Sequence, residues 1–81
     1  MLDNIINIIK KEYLKAVSKF GPFNTAHEGY AILLEEVDEL WENVKLNQKN
    51  PNRNKLMMEE AVQIAAMAIR FIVDCGGLEK C

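Results

Sequence analysis

The stretch from Glu59 to Cys75, which reads EEAVQIAAMAIRFIVDC, decides the fold. Between residues 61 and 73 only Gln63 and Arg70 are polar. A helix that is apolar on nearly all sides must be buried on nearly all sides. In a chain of 81 residues, two further helices are not enough to cover it. We therefore expect a partner chain to complete a four-helix-bundle-type core.

Helical periodicity and turn signals place two more helices before this stretch. Apolar residues recur at helical spacing over residues 2–20, and Gly21-Pro22 ends the pattern because proline cannot continue the hydrogen-bond ladder. Thr25 and Glu28 form a capping box, which begins a second helix over residues 26–46.

The third helix spans residues 54–75 and stops at Gly76-Gly77, a common signal for the end of a helix. No segment alternates like a strand, and no repeat is present in the sequence. We predict one all-α domain over residues 1–81, a three-helix protomer that forms a homo-oligomer, either a dimer or a tetramer. In the second helix the predicted core face consists of seven apolar residues at helical spacing: Tyr30, Leu33, Leu34, Val37, Leu40, Trp41 and Val44.

Composition argues against two classes of partner. The net charge is −2 and the basic residues are scattered, so the chain lacks the basic patch that binds nucleic-acid phosphates. No apolar run reaches the length that spans a membrane. Cys75 and Cys81 have no CxxC spacing, and we interpret them as free thiols in a reducing compartment, which predicts a cytoplasmic location.

The second helix carries a pair of carboxylates that its amphipathic pattern does not explain. Most of its acidic residues fall on the side opposite the apolar face, as solvated residues do. Glu36 instead lies toward the edge of the predicted core, and Glu39, three residues later, is its neighbour on the helix surface. Two like charges held together are unfavourable unless a cation compensates them.

The third helix carries a matching polar stripe. Glu60 and Gln63 are also three residues apart, and Arg70 and Asp74 continue the same line. If the second and third helices are antiparallel neighbours, Glu60 converges with the carboxylates of the second helix. Three hard oxygen donors suit Mg²⁺, which keeps several waters for substrate phosphates.

Two simpler interpretations stay open at this point. The glutamates can form a solvated face, since glutamate is a good helix former. Gln63 and Arg70 can form a polar network that fixes the register of the helices.

The motif Glu35-Glu36-x-x-Glu39, followed after a loop by Glu60-x-x-Gln63, resembles the all-α nucleoside triphosphate pyrophosphohydrolases of the MazG-like group, which are related to the dimeric dUTPases. The family motifs are EExxE on one helix and ExxD on the next. The resemblance covers residues 20–74 and is closest to small members of the phage and bacterial type.

This resemblance implies a hydrolase that uses Mg²⁺ to cleave a nucleoside triphosphate into a monophosphate and pyrophosphate. It implies Glu36, Glu39, Glu60 and Gln63 as metal ligands, and it implies Glu35, together with Glu36 and Glu39, as catalytic. Basic residues that would contact the phosphates are not fixed by a motif; the candidates are Lys45, Lys55 and Arg70.

One position departs from the family pattern. Gln63 stands where the family has an aspartate, and a neutral amide binds a cation more weakly than a carboxylate. This leaves a second function open, a catalytically inactive helical module for oligomerisation or nucleotide sensing.

Overall fold

The protein is described by a computed structural model that covers residues 1–76. It consists of three helices, α1 (Leu2–Phe20), α2 (Ala26–Val44) and α3 (Arg53–Cys75), and no strand is present within the described residues. The all-α prediction is confirmed. Helix α2 ends two residues before the predicted boundary at residue 46, and α3 begins one residue before the predicted start at residue 54.

The capping box at the start of α2 forms as the sequence predicts. The backbone N–H of Glu28 donates to the Thr25 hydroxyl at 3.0 Å. The Glu28 carboxylate reaches back and accepts from the backbone N–H of Asn24 at 3.1 Å. These bonds satisfy N–H groups that the first helical turn would otherwise leave without a partner.

Helix α3 lies between the other two. It packs against both, while no Cα atom of α1 lies within 8 Å of a Cα atom of α2. Helix α2 runs antiparallel to α3, since Asn43 near its end bonds to Leu56, and Gly29 near its start lies against Phe71. Helices α1 and α2 therefore flank α3, and on one side of α3 an open groove separates them.

Gly29 permits the close contact between α2 and α3. A Cβ atom at this position would lie 2.8 Å from the ring of Phe71 and 2.9 Å from the ring of Phe23. Such distances are shorter than van der Waals contact, so any side chain here would push α2 away from α3. Gly29 thus determines which side of α2 faces α3.

Arg70 and Asp74 hold the loop between α1 and α2 onto α3. Asp74 accepts the backbone N–H of Phe23 at 2.9 Å. Arg70 donates to the carbonyl of Gly21 at 2.8 Å, and its guanidinium lies 4.1 Å from the centre of the Phe23 ring. Both side chains are buried. This half of the polar stripe therefore acts as a network that fixes helix register.

The core of a single protomer is thin. Among residues 1–76 only four apolar residues are buried: Ala16, Phe23, Ala66 and Met67. Within α2, Leu33 and Leu40 are half-buried. The rest of the predicted core face of this helix is exposed in the protomer: Tyr30, Leu34, Val37, Trp41 and Val44.

That part of the prediction is wrong for the protomer because α2 is rotated about its axis. The side of α2 that lies against α3 carries its buried and half-buried residues, which include Gly29, Leu33, Glu36 and Leu40. The exposed apolar residues form a second face beside this contact. A helical wheel merges the two adjacent faces into one and places the centre at Val37.

Two further expectations from the sequence concern a membrane span and the cysteines. No helix in the described chain combines the length and hydropathy needed to cross a membrane. The interpretation of Cys75 as a free thiol is wrong, because the described residues contain no free cysteine and Cys75 is disulfide-bonded. Cys81 lies outside the described residues.

Candidate metal centre

The structure brings together three carboxylates from two helices. Glu36 and Glu39 extend from α2 and Glu60 from α3, and one oxygen of each lies within 4.8 Å of the others. The antiparallel packing of α2 on α3 produces this convergence, since it places the turn that contains Glu36 and Glu39 opposite the first half of α3. We call these three residues the acidic cluster.

Burial differs among the three side chains. Glu36 and Glu60 are half-buried in the contact between the helices, whereas Glu39 lies at the exposed edge. Oxygen Oε2 of Glu60 is buried and has no hydrogen-bond partner. A buried polar atom without a partner is unfavourable by about 1–3 kcal/mol, and such atoms are rare in folded proteins.

The surroundings raise the pKa of all three carboxyls. Burial raises the pKa of Glu36, and the negative charges of Glu39 and Glu35 raise it further. The pKa of Glu39 is raised first by its hydrogen bond with Glu60 and then by burial. Burial raises the pKa of Glu60, and the hydrogen bond with Glu36 adds to this effect. Burial is thus the largest cause for Glu36 and Glu60, and the crowding of the carboxyls adds to the shift at all three.

This arrangement has the chemistry of a site for a hard cation. Either protons shared between the carboxyls or a bound cation can remove the repulsion. Magnesium holds oxygen ligands at about 2.0–2.1 Å, so two oxygens on one ion lie at most about 4.2 Å apart. Adjacent ligands of an octahedral ion lie closer together, about 2.9 Å apart. The oxygens of the acidic cluster, which lie within 4.8 Å of one another, would therefore have to move together to hold one ion.

A groove of about 520 Å³ lies beside the acidic cluster. Glu35 and Glu36 border it from α2, Phe20 borders it from α1, and Met67 and Arg70 form part of its floor on α3. We call it the central groove. Glu35 lies on this groove but is not one of the three carboxylates that meet at 4.8 Å.

Gln63 is held by a residue that the sequence did not single out. Its amide nitrogen donates to Glu12 of α1 at 2.7 Å. An ionised carboxylate only accepts hydrogen bonds, so this contact fixes which end of the amide faces α1. Gln63 also lines the central groove and the cleft between α1 and α3.

Sequence reasoning missed Glu12 because it lies among the lysines of α1 and looks solvated. It is half-buried in the structure. The two residues of the pair are 51 positions apart, and no local pattern connects them.

The three basic candidates for phosphate contact lie in different places. Lys45 pairs with Glu42 at 2.9 Å on the exposed side of α2, and its ammonium lies over the Trp41 ring. Lys55 lies 3.9 Å from Glu59 and borders a different cleft, between α1 and α3. Of these three, Arg70 is the one that lines the central groove. Its Nε atom is buried without a hydrogen-bond partner.

Comparisons of the chain with protein-family models, with curated proteins and with solved structures found no match.

Proposed function

We propose that the chain is a Mg²⁺-dependent nucleoside triphosphate pyrophosphohydrolase of MazG-like type, which acts as a homo-oligomer. Water would attack the triphosphate and the bond between the α and β phosphates would break, giving a nucleoside monophosphate and pyrophosphate. The observation that carries this proposal is the convergence of Glu36, Glu39 and Glu60 beside the central groove.

Each residue of the site has a role that its position supports. Glu36, Glu39 and Glu60 would hold the cation, and the buried Oε2 of Glu60 would gain the partner that it lacks. Glu35 borders the groove and would orient the attacking water. When bound, Mg²⁺ would neutralise phosphate charge and lower the pKa of the water.

The groove supplies a place for the rest of the nucleotide. Its volume falls in the range of small-molecule sites, about 300–1,000 Å³. Phe20 and Met67 offer apolar surface, and Arg70 contributes a positive charge at the floor. The terminal nitrogens of Arg70 donate to Gly21 and Met67, and its buried Nε has no hydrogen-bond partner.

The direct test is pyrophosphate release from a panel of ribo- and deoxynucleoside triphosphates with Mg²⁺. Wild type should turn over at least one nucleotide, and Glu39→Gln should remove this activity. Glu42→Gln is the matched control, because it makes the same change on the same helix at a residue that pairs with Lys45 outside the cluster. Turnover that Glu39→Gln leaves unchanged would refute the proposal.

One observation favours a second function, the catalytically inactive oligomerisation or nucleotide-sensing module. Gln63 replaces the family aspartate, and its amide nitrogen is committed to Glu12. This alternative predicts a stable oligomer without Mg²⁺-dependent hydrolysis. Activity gained on Gln63→Asp would show that the remainder of the site is intact. The cytoplasmic location stays a prediction from the sequence, and the disulfide at Cys75 removes the free thiol on which it rested.

A further inference from the structure

The side chain of Asn43 joins the last turn of α2 to the first turn of α3. Its amide nitrogen donates to the backbone carbonyl of Leu56 at 3.3 Å. The bond lies in partly buried surroundings, where a hydrogen bond is electrostatically stronger than in bulk water. It therefore ties a side chain of α2 to the main chain of α3, and the main chain moves only when the helix moves.

Both ends of this bond lie one helical turn from the acidic cluster. On α2, Asn43 follows Glu39 by four residues and Glu36 by seven, so the three lie on one side of the helix. On α3, Leu56 precedes Glu60 by four residues. Helical bonds run from each N–H to the carbonyl four residues earlier, so the Leu56 carbonyl also accepts the backbone N–H of Glu60. Asn43 is thus bonded to the same peptide group that holds the backbone of Glu60.

We infer that Asn43 is a positioning residue for the acidic cluster, because its bond sets how far along α3 the helix α2 lies. This inference rests on the cation site of the proposed function. A slip of α2 by one residue would move Glu36 and Glu39 by about 1.5 Å relative to Glu60. That displacement is about half of the roughly 2.9 Å between adjacent ligands of an octahedral ion. Loss of the register would therefore weaken the hold of the three carboxylates on one ion.

The apolar contacts between the two helices do not specify this register by themselves. Leu40 of α2 and Met57 of α3 are half-buried in the same parts of their helices. Apolar burial has no preferred direction, and methionine adapts its shape, so such contacts tolerate a slip that a hydrogen bond does not. Gly29 determines the rotation of α2 near its start. Gly29 and Asn43 therefore hold α2 on either side of the acidic cluster.

Arg53 makes a second link between the same two helices and provides the comparison. Its guanidinium donates at 3.0 Å to the carbonyl of Val44, the last residue of α2. This bond is exposed. The long arginine side chain has enough rotamer freedom to keep its bond when a helix shifts, whereas the short side chain of Asn43 does not. Arg53 therefore contributes to stability, and Asn43 contributes to stability and to register.

The test compares Asn43→Leu, which removes the amide donor, with Arg53→Met, which removes the other link. Mn²⁺ binding is titrated by electron paramagnetic resonance below the unfolding temperature of each protein, and Tm is measured by circular dichroism. Both variants should lower Tm, by up to about 4–8 °C for one lost hydrogen bond. Asn43→Leu should also weaken Mn²⁺ binding by about tenfold, as the loss of a partner that orients a metal ligand does. Arg53→Met should leave Mn²⁺ affinity unchanged.

Equal Mn²⁺ affinity in wild type and Asn43→Leu would overturn the inference and leave the proposed function intact, whereas wild type that binds no Mn²⁺ would overturn both. Asn43→Gln keeps an amide donor and should recover most of the affinity. A loss with Asn43→Gln as large as with Asn43→Leu would overturn the inference, because the donor would then not matter. If Asn43→Leu does not fold, Asn43→Ala takes its place, since alanine is the best helix former and also lacks the donor.

Discussion

The side of the α2–α3 pair that borders the central groove and the opposite side of α2 depart from the usual distribution of side chains in opposite directions. On the groove side, Glu36 and Glu60 are carboxylates in the contact between two helices. On the opposite side of α2, Val37 and Trp41 are apolar residues exposed to solvent. Adjacent positions on α2, Glu36 and Val37, thus have opposite environments. One side crowds negative charge between two helices, and the other exposes apolar surface to water.

The largest effect should come from removing one carboxylate of the acidic cluster. We expect Glu60→Gln to lower Mg²⁺-dependent hydrolysis by about 100-fold or more, since even residues that only support metal ligands change activity by about 10–100-fold. Initial rates of pyrophosphate release at saturating Mg²⁺ check this. Glu59→Gln, a neighbouring exposed position, is the control and should retain wild-type rates. Equal rates in all three proteins would show that the groove side needs no cation.

The same substitution should stabilise the metal-free protein. Glu60→Gln removes one of three crowded charges, and its effect at neutral pH should be a gain of about 1 kcal/mol, seen as a rise in Tm of about 4–8 °C. Thermal unfolding followed by circular dichroism in EDTA measures this shift. A drop in Tm would mean that Glu60 contributes to stability instead of to a cation site.

The stability of the metal-free protein should fall as pH rises. The folded state raises the pKa of Glu36, Glu39 and Glu60, so it holds protons that the unfolded chain has released. The contribution of these groups is therefore fully present below their unfolded pKa and is lost as pH rises through their folded pKa. Mg²⁺ affinity should change in the opposite direction, increasing over the same interval as the competing protons leave. Chemical unfolding in EDTA and Mg²⁺ titration, both repeated from about pH 5 to about pH 8, measure the two trends. Parallel trends would contradict this assignment.

A smaller effect on the site than the loss of a carboxylate should come from the residue that orients Gln63. Replacing Glu12 with leucine removes the acceptor at 2.7 Å and frees the amide of Gln63 to turn. We expect metal affinity to weaken by about tenfold, with Glu12→Gln close to wild type because it keeps an acceptor oxygen. Calorimetric titration with Mg²⁺ distinguishes the two variants. If both variants weaken binding equally, the charge of Glu12 matters and not its hydrogen bond.

The parts of this molecule that local patterns specify could be predicted from the sequence. Periodicity predicted the three helices, and Thr25 with Glu28 marked the start of α2. Spacing along α2 and the polar stripe of α3 predicted that Glu36, Glu39 and Glu60 converge, because antiparallel helices place such residues opposite each other.

What depended on the rotation of a helix or on distant contacts could not be predicted. Gly29 turns α2 so that Val37 and Trp41 leave the protomer core, and a helical wheel does not separate a face that packs within the chain from one that packs on a partner. Glu12 gave no signal because its contact with Gln63 spans half the chain. Arg70 was a candidate for phosphate contact, and only the structure shows that two of its nitrogens hold Gly21 and Met67.

The central claim is that Glu36, Glu39 and Glu60 together hold a divalent cation. Manganese prefers the same oxygen ligands as Mg²⁺ and is detected by electron paramagnetic resonance. A titration of wild type, Glu60→Gln and Glu42→Gln with Mn²⁺ counts the bound ions directly. We predict a Mn²⁺ site in wild type and in Glu42→Gln that is lost or strongly weakened in Glu60→Gln. The absence of bound Mn²⁺ in wild type, or equal binding in all three proteins, would contradict this account.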